Sequence, residues 1–149
     1  MNKPADTLRV LVAEDNEDHL FLTVRALRGV EGVHVEVEAV RDGSEALDFV
    51  ERRGRFADRE RPHLLLLDLK MPKVDGFEVL ERLKGDPELC SIPVVVLTSS
   101  DRPEDVEAAY RRGSNSYVTK PTGSGGMTEG VRALSEYWMS LVELPEPPQ

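Results

Sequence analysis

Carboxylates stand where two apolar runs stop: Glu14-Asp15 follows Leu8 to Ala13, and Asp68 follows Leu64-Leu65-Leu66-Leu67. Two further runs end in complementary groups, with Thr98-Ser99 after Val94 to Leu97 and Lys120-Pro121 after Ser116 to Val118. Brought to one rim, the carboxylates repel one another unless they are protonated or a cation neutralises them. Mg2+ takes one or two carboxylates together with water and phosphate oxygens, so it fits this set best. With the charge screened, the Asp68 carboxylate is a nucleophile that can attack a phosphoryl group and form an acyl phosphate. Lys120 and the Thr98 hydroxyl are placed to hold the new phosphoryl oxygens.

Positioning these groups requires five strands, and the chain has five short apolar runs: Leu8 to Ala13, Val33 to Val40, Leu64 to Leu67, Val94 to Leu97 and Ser116 to Val118. The β-branched run after Pro93 suits a strand buried on both faces. Val33 to Val40 alternates apolar and polar residues, as an edge strand with one wet face does. Helical spacing fills the gaps. Leu20, Val24 and Leu27 follow the N-cap Asn16 and stop at Gly29, and Ala46, Leu47 and Val50 follow Gly43-Ser44. Phe77, Leu80 and Leu83 predict a third helix, opened by the Asp75-Gly76 turn and ending near Gly85. Val106, Ala109 and Tyr110 predict a fourth, with Pro103 in its first turn and Gly113 past its end. A fifth stripe, Val131, Leu134, Trp138 and Leu141, is expected to cover the sheet. Strict alternation of this kind predicts an α/β fold, a doubly wound (βα)5 parallel sheet, with its site beyond the carboxyl ends of the strands.

Composition narrows the function. The 149 residues, 40% hydrophobic, suit one domain and one core, expected here over 1–149 with its core at about 8–142. The net charge of -9 argues against a nucleic-acid partner. No apolar stretch approaches a membrane span, and the single cysteine, Cys90, permits no intrachain disulfide, so a cytoplasmic protein is expected. The basic stretch from Arg52 to Arg61 is broken by Asp58 and Glu60 and is expected to be a solvated loop. His19, His34 and His63 have no metal-ligand spacing and are assigned no chemistry. Gly123-Ser124-Gly125-Gly126 lacks the phosphate-loop pattern and is expected to lead flexibly into the last helix.

Leu65-Leu66-Leu67-Asp68-Leu69-Lys70-Met71-Pro72 through Asp75-Gly76 resembles the phosphorylation-site signature of two-component response regulator receiver domains, which have a flavodoxin-like fold. Val12-Ala13-Glu14-Asp15-Asn16 resembles their acidic pair, and Leu97-Thr98-Ser99 and Tyr117-Val118-Thr119-Lys120-Pro121 resemble the two remaining motifs, all in order. The resemblance implies an acidic pocket of Glu14 and Asp15 and a metal bound by Asp15, Asp68 and the Lys70 carbonyl. It also implies a phosphoryl contact at Thr98, its ion pair at Lys120, an aromatic switch at Tyr117, and a cis Lys120-Pro121 bond. Glu14 stands where many members have Asp, and Lys70 puts a cation two residues past the acceptor, at a position that affects phosphoryl lifetime across the family.

Singly, each feature has a plainer reading: Glu-Asp-Asn as a helix start, Asp-Gly as a turn, Tyr117 as sheet packing. Their joint order argues for the receiver, and the complete set Glu14, Asp15, Asp68, Thr98 and Lys120 argues against a degenerate receiver that serves only as an interaction module. An aspartyl-nucleophile phosphohydrolase of the haloacid-dehalogenase type needs a second Asp where Lys70 stands. Roughly 30 residues follow the fifth run, enough for a helix but not for a DNA-binding domain. The expectation is therefore a stand-alone phosphoacceptor, not an enzyme with a separate substrate, that supports its own Mg-dependent phosphorylation and dephosphorylation. The Arg52 to Arg61 insertion and the ending from Glu136 to Pro145 resemble single-domain regulators paired with bacterial phytochrome kinases, which implies a sensor histidine kinase as partner. Tyr137, Met139, Val142 and Leu144 fall wholly or partly off the helical stripe or follow it, which predicts a homodimer through the last helix and its extension.

Overall fold

The computed structural model describes residues 7–121 and 125–149. Five parallel strands, β1 Thr7–Ala13, β2 His34–Val40, β3 Leu64–Leu67, β4 Val94–Thr98 and β5 Ser116–Thr119, form one sheet in the order β2-β1-β3-β4-β5. Between and after them lie α1 Glu17–Arg28, α2 Gly43–Glu51, α3 Gly76–Lys84, α4 Pro103–Arg111 and α5 Gly126–Glu136. This is the flavodoxin-like receiver fold, and the strand order reverses between β1 and β3, where such sheets carry their sites. Among the described residues no helix is long and apolar enough to cross a membrane.

Burial follows the sequence pattern. The central strands β3 and β4 are buried at every position, while β2 at the edge alternates wet and dry residues. Leu20 and Leu27 of α1 join Val131 and Leu134 of α5 on one face of the sheet. Phe49 of α2, Leu80 and Leu83 of α3 and Ala109 of α4 cover the other. Three helices start at the site end of the sheet on carboxylate or amide caps: Asn16 Oδ1 accepts from His19 N–H at 3.0 Å, Asp42 Oδ1 from Glu45 at 2.8 Å, and Asp75 Oδ1 from Glu78 at 3.0 Å. Gly76 does more than open α3. A Cβ there would lie 2.6 Å from both the Asp68 carbonyl oxygen and Leu69 Cα, so glycine lets α3 start directly against the backbone of the acidic strand end.

Three expectations are corrected. The stripe on the last helix does not run through Leu141, because α5 passes into a π-helical turn, Tyr137–Leu141, closed by Val142 N–H to the Tyr137 carbonyl at 3.1 Å. The wider turn places Met139, five residues after Leu134, in the core at 4% exposure, leaves Trp138 half-buried and turns Leu141 out to 72%. The Arg52 to Arg61 stretch is not simply solvated. Its 3-10 turn Gly54–Phe56 inserts Phe56 against Phe49, Arg55 stacks on the Phe56 ring at 4.4 Å, and Arg61 is buried with its Nε donating to the Val50 carbonyl at 2.8 Å. Lastly, no peptide bond among the described residues is cis, so Lys120-Pro121 is trans, the geometry ordinarily favoured by roughly 0.5 to 1 kcal/mol. Lys120 nonetheless reaches the carboxylates. Of the glycine-rich stretch before α5, Thr122, Gly123 and Ser124 lie outside the described residues.

Candidate functional site

Ladder hydrogen bonds running just past the strands carry the chemical groups. Glu14 N–H donates to the Val40 carbonyl at 3.0 Å, Asp68 N–H to Ala13 at 3.1 Å, and Lys120 N–H to Thr98 at 2.6 Å. Each side chain is thus presented at the first position beyond its strand. Oxygens of Glu14, Asp15 and Asp68 all lie within 4.8 Å of one another, with Glu14 and Asp68 buried and Asp15 exposed. Lys120, also buried, places Nζ 2.7 Å from Glu14 Oε1 and 2.9 Å from Asp68 Oδ2. Asp68 Oδ1 accepts from Lys70 N–H at 3.1 Å, and Glu14 Oε2 accepts from Asn16 N–H at 3.1 Å. The sequence-predicted Glu14, Asp15, Asp68, Lys70, Thr98 and Lys120 therefore gather at one rim.

The electrostatics are those of crowded acids under partial compensation. Burial, reinforced by the nearby Asp68 charge and opposed by Lys120, pushes the Glu14 carboxyl up to about 7. A divalent cation suits this donor set, because it neutralises the repulsion while the exposure of Asp15 leaves room for water ligands. Thr98 Oγ1 is buried with no partner among the described atoms, an uncommon state for a hydroxyl and one that an incoming oxygen would relieve.

Tyr117 lies beside this rim, half-buried, its hydroxyl donating to the Ser100 carbonyl at 2.8 Å. Burial raises its phenol above the ordinary range. Ser100 in turn donates to Asp105 Oδ2 at 2.5 Å and accepts from Arg102 N–H at 3.3 Å, tying the β4–α4 loop to the start of α4, whose N-cap residue Arg102 makes no side-chain capping bond. The motif reading stopped at Ser99 and missed Ser100. It also missed His19, whose Nδ1 lies 2.9 Å from Lys120 Nζ. The available signal was position: three residues after the cap Asn16, His19 occupies the first turn of a helix that starts at the site. The other histidines stand elsewhere, His34 exposed on β2 near Glu36, and His63 buried before β3 with Nδ1 accepting from Arg9 N–H at 3.0 Å.

A parallel sheet of this order with an acid-and-lysine rim defines a phosphoryl-accepting receiver. The sequence pattern of the response regulator receiver domain matches residues 10–132, and the chain belongs to that family. It is 39% identical to the probable methanogenesis regulatory protein FilR2 of Methanothrix harundinacea, over 95% of this chain and 90% of that one. It is 37% identical to the response regulator Rcp1 of Synechocystis, over 91% of this chain and 92% of that one. The Mn2+-bound crystal structure of Rcp1 superposes with a TM-score of 0.89 at 36% identity, covering 93% of this chain and 99% of the other. The phosphorylated cyanobacterial phytochrome response regulator RcpA also gives 0.89, at 38% identity, covering 94% and 99%. The chain is thus a phosphoacceptor of the receiver type, with a role in phosphorelay, and the acidic pocket of such receivers binds a divalent metal.

Proposed function

We propose that this chain accepts a phosphoryl group on Asp68 from a sensor histidine kinase of the phytochrome type, in the cytoplasm, as one receiver domain over 1–149. The observation that carries the assignment is Lys120 Nζ bridging Asp68 and Glu14 at 2.9 and 2.7 Å beside the unpartnered Thr98 hydroxyl. An Asp68 carboxylate oxygen attacks phosphorus, the bond from phosphorus to the donor imidazole breaks, and the imidazole leaves with its electron pair. Lys120 then turns from carboxylate to phosphoryl oxygen, and the Thr98 hydroxyl donates a hydrogen bond to another. Asp15, Asp68 and the Lys70 carbonyl would hold Mg2+, which would supply charge neutralisation to the crowded site. Glu14 completes the acidic pocket, and Tyr117 is the side chain whose rotamer reports phosphorylation to the β4–α4 loop. The phytochrome pairing draws support from the likeness to RcpA. The chain also forms a homodimer through the last helix and its extension, a reading supported by the exposure of Tyr137 and Leu141.

Labelling from a small phosphodonor tests the acceptor. Wild type is expected to take up acid-stable, base-labile label in Mg2+ and to take up none in excess chelator. Asp68→Asn is expected to take up none, and undiminished labelling of that variant refutes the assignment.

A further inference from the structure

Lys120 uses its whole donor capacity in this structure. Its ammonium reaches Glu14 Oε1 at 2.7 Å, Asp68 Oδ2 at 2.9 Å and His19 Nδ1 at 2.9 Å, three acceptors for three N–H groups. An ammonium only donates, so Nδ1 must be the bare nitrogen, and the imidazole is neutral with its proton on Nε2. Its place agrees with that form, since the first turn of α1 presents the positive end of a helix dipole and disfavours an imidazolium. Burial, followed by the Lys120 charge, also lowers the His19 pKa, against weaker opposing effects of Asp68, Asp18 and Asp15.

The three acceptors are not equivalent. Glu14 and Asp68 belong to the acidic cluster that a cation draws on, and Asp68 itself becomes esterified when it accepts phosphoryl. His19 is neutral, lies outside that cluster and keeps its lone pair throughout. Its backbone is fixed from both sides: its N–H donates to Asn16 Oδ1 at 3.0 Å, and its carbonyl accepts from the buried Thr23 hydroxyl at 2.8 Å. The contact joins α1 to the residue after β5 across 101 positions of sequence.

We propose that His19 is a positioning residue for phosphoryl acceptance, its Nδ1 holding the Lys120 ammonium over Asp68 while the two carboxylates change partners. The inference rests on Asp68 being the acceptor. Holding the ammonium in place spares its reorganisation as charge develops on the phosphoryl oxygens. Removing the acceptor leaves Lys120 tethered only by groups that the reaction itself redirects.

The experiment uses the full chain, acetyl phosphate as phosphodonor so that no kinase contact with α1 intervenes, and saturating Mg2+. Initial labelling rates are compared for wild type, His19→Ala and His19→Asn, the last placing an amide oxygen near the Nδ1 position. His19→Ala is expected to label roughly tenfold more slowly, the order expected for losing one hydrogen bond to a charged group. His19→Asn is expected to stay within about threefold of wild type, retaining most of that bond. In parallel, the 15N ammonium resonance of Lys120 in the metal-free chain is expected to shift in His19→Ala and to recover in His19→Asn. An Ala variant that labels at the wild-type rate overturns the inference and leaves Asp68 standing as acceptor. Equal slowing of Ala and Asn variants, or an unmoved Lys120 resonance, overturns it as well. A wild-type chain that takes no label from any phosphodonor removes the acceptor reading, and this inference with it.

Discussion

Burial holds the Glu14 carboxyl at about 7, against an ordinary value of 4.5, and this makes its protonation visible in stability. Between those values the folded chain keeps a proton that the unfolded chain has released, so stability falls as pH rises through the window and is lowest above it. His19 works in the opposite sense. Its lowered pKa means that the unfolded chain protonates first below 6.5, so stability falls on acidification there. Comparing wild type with Glu14→Gln separates the two. In chelator, wild type is expected to lose thermal stability relative to Glu14→Gln as pH rises from 5 to about 7, the interval set by the raised carboxyl. Added Mg2+ is expected to shrink that loss, because a bound cation favours the carboxylate. A constant difference between the two proteins across the window contradicts the assignment of Glu14 as the strained acid.

At the scale of the element, the π turn after α5 decides which side chains are structural. With regular α-helical spacing continued from Leu134, the core would receive Trp138 and Leu141. The wider turn delivers Met139 instead, at 4% exposure, with Leu141 at 72%. Met139→Ala is therefore expected to cost about 2 to 4 kcal/mol, as core truncations of that size do. Leu141→Ala is expected to cost less than about 0.5 kcal/mol, as surface changes do. Chemical denaturation of both variants checks the pair, and the reverse order of costs would restore the regular helical phase. The 3-10 turn in the insertion makes a similar point. Phe56, at 4% exposure against Phe49, anchors a segment whose surrounding arginines alone suggest a surface loop. Phe56→Ala is expected to cost roughly 3 to 5 kcal/mol by the same assay, whereas a truly solvated loop would show almost no change.

For the whole molecule, the last helix and its extension divide their residues between the domain and the solvent. Leu144, like Trp138, packs against the core, and the Gln149 carbonyl accepts from Arg61 at 2.9 Å, so the extension is engaged within its own chain at these two points. Tyr137 and Leu141 remain exposed, and they form the surface on which the proposed dimer depends. Cutting the chain before Met139 would damage the core and confuse the result. The better test is sedimentation equilibrium of the full chain beside Leu141→Glu, each with and without a phosphoryl mimic at Asp68. Wild type is expected to sediment as a dimer at micromolar concentration and Leu141→Glu as a monomer. Monomeric wild type under both conditions would refute the dimer.

What the amino-acid sequence determined by itself was the rim. Short runs such as Leu64 to Leu67 after Pro62 and the β-branched Val94 to Leu97 after Pro93 favour buried strands, and whatever follows each one appears at a strand end, so Glu14, Asp15, Asp68, Thr98 and Lys120 converge by local pattern and alternation. The caps Asn16, Asp42 and Asp75 are equally local, each bonding within three residues. Tertiary structure decided the rest. The His19 contact spans 101 residues and exists only because α1 and the end of β5 meet at one edge of the site. The helical phase at Met139 and the insertion of Phe56 depend on which cavity the packed core offers, and a trans bond before Pro121 suffices because the strand end already aims Lys120. Such outcomes depend on contacts between distant segments, for which periodicity and spacing carry no signal.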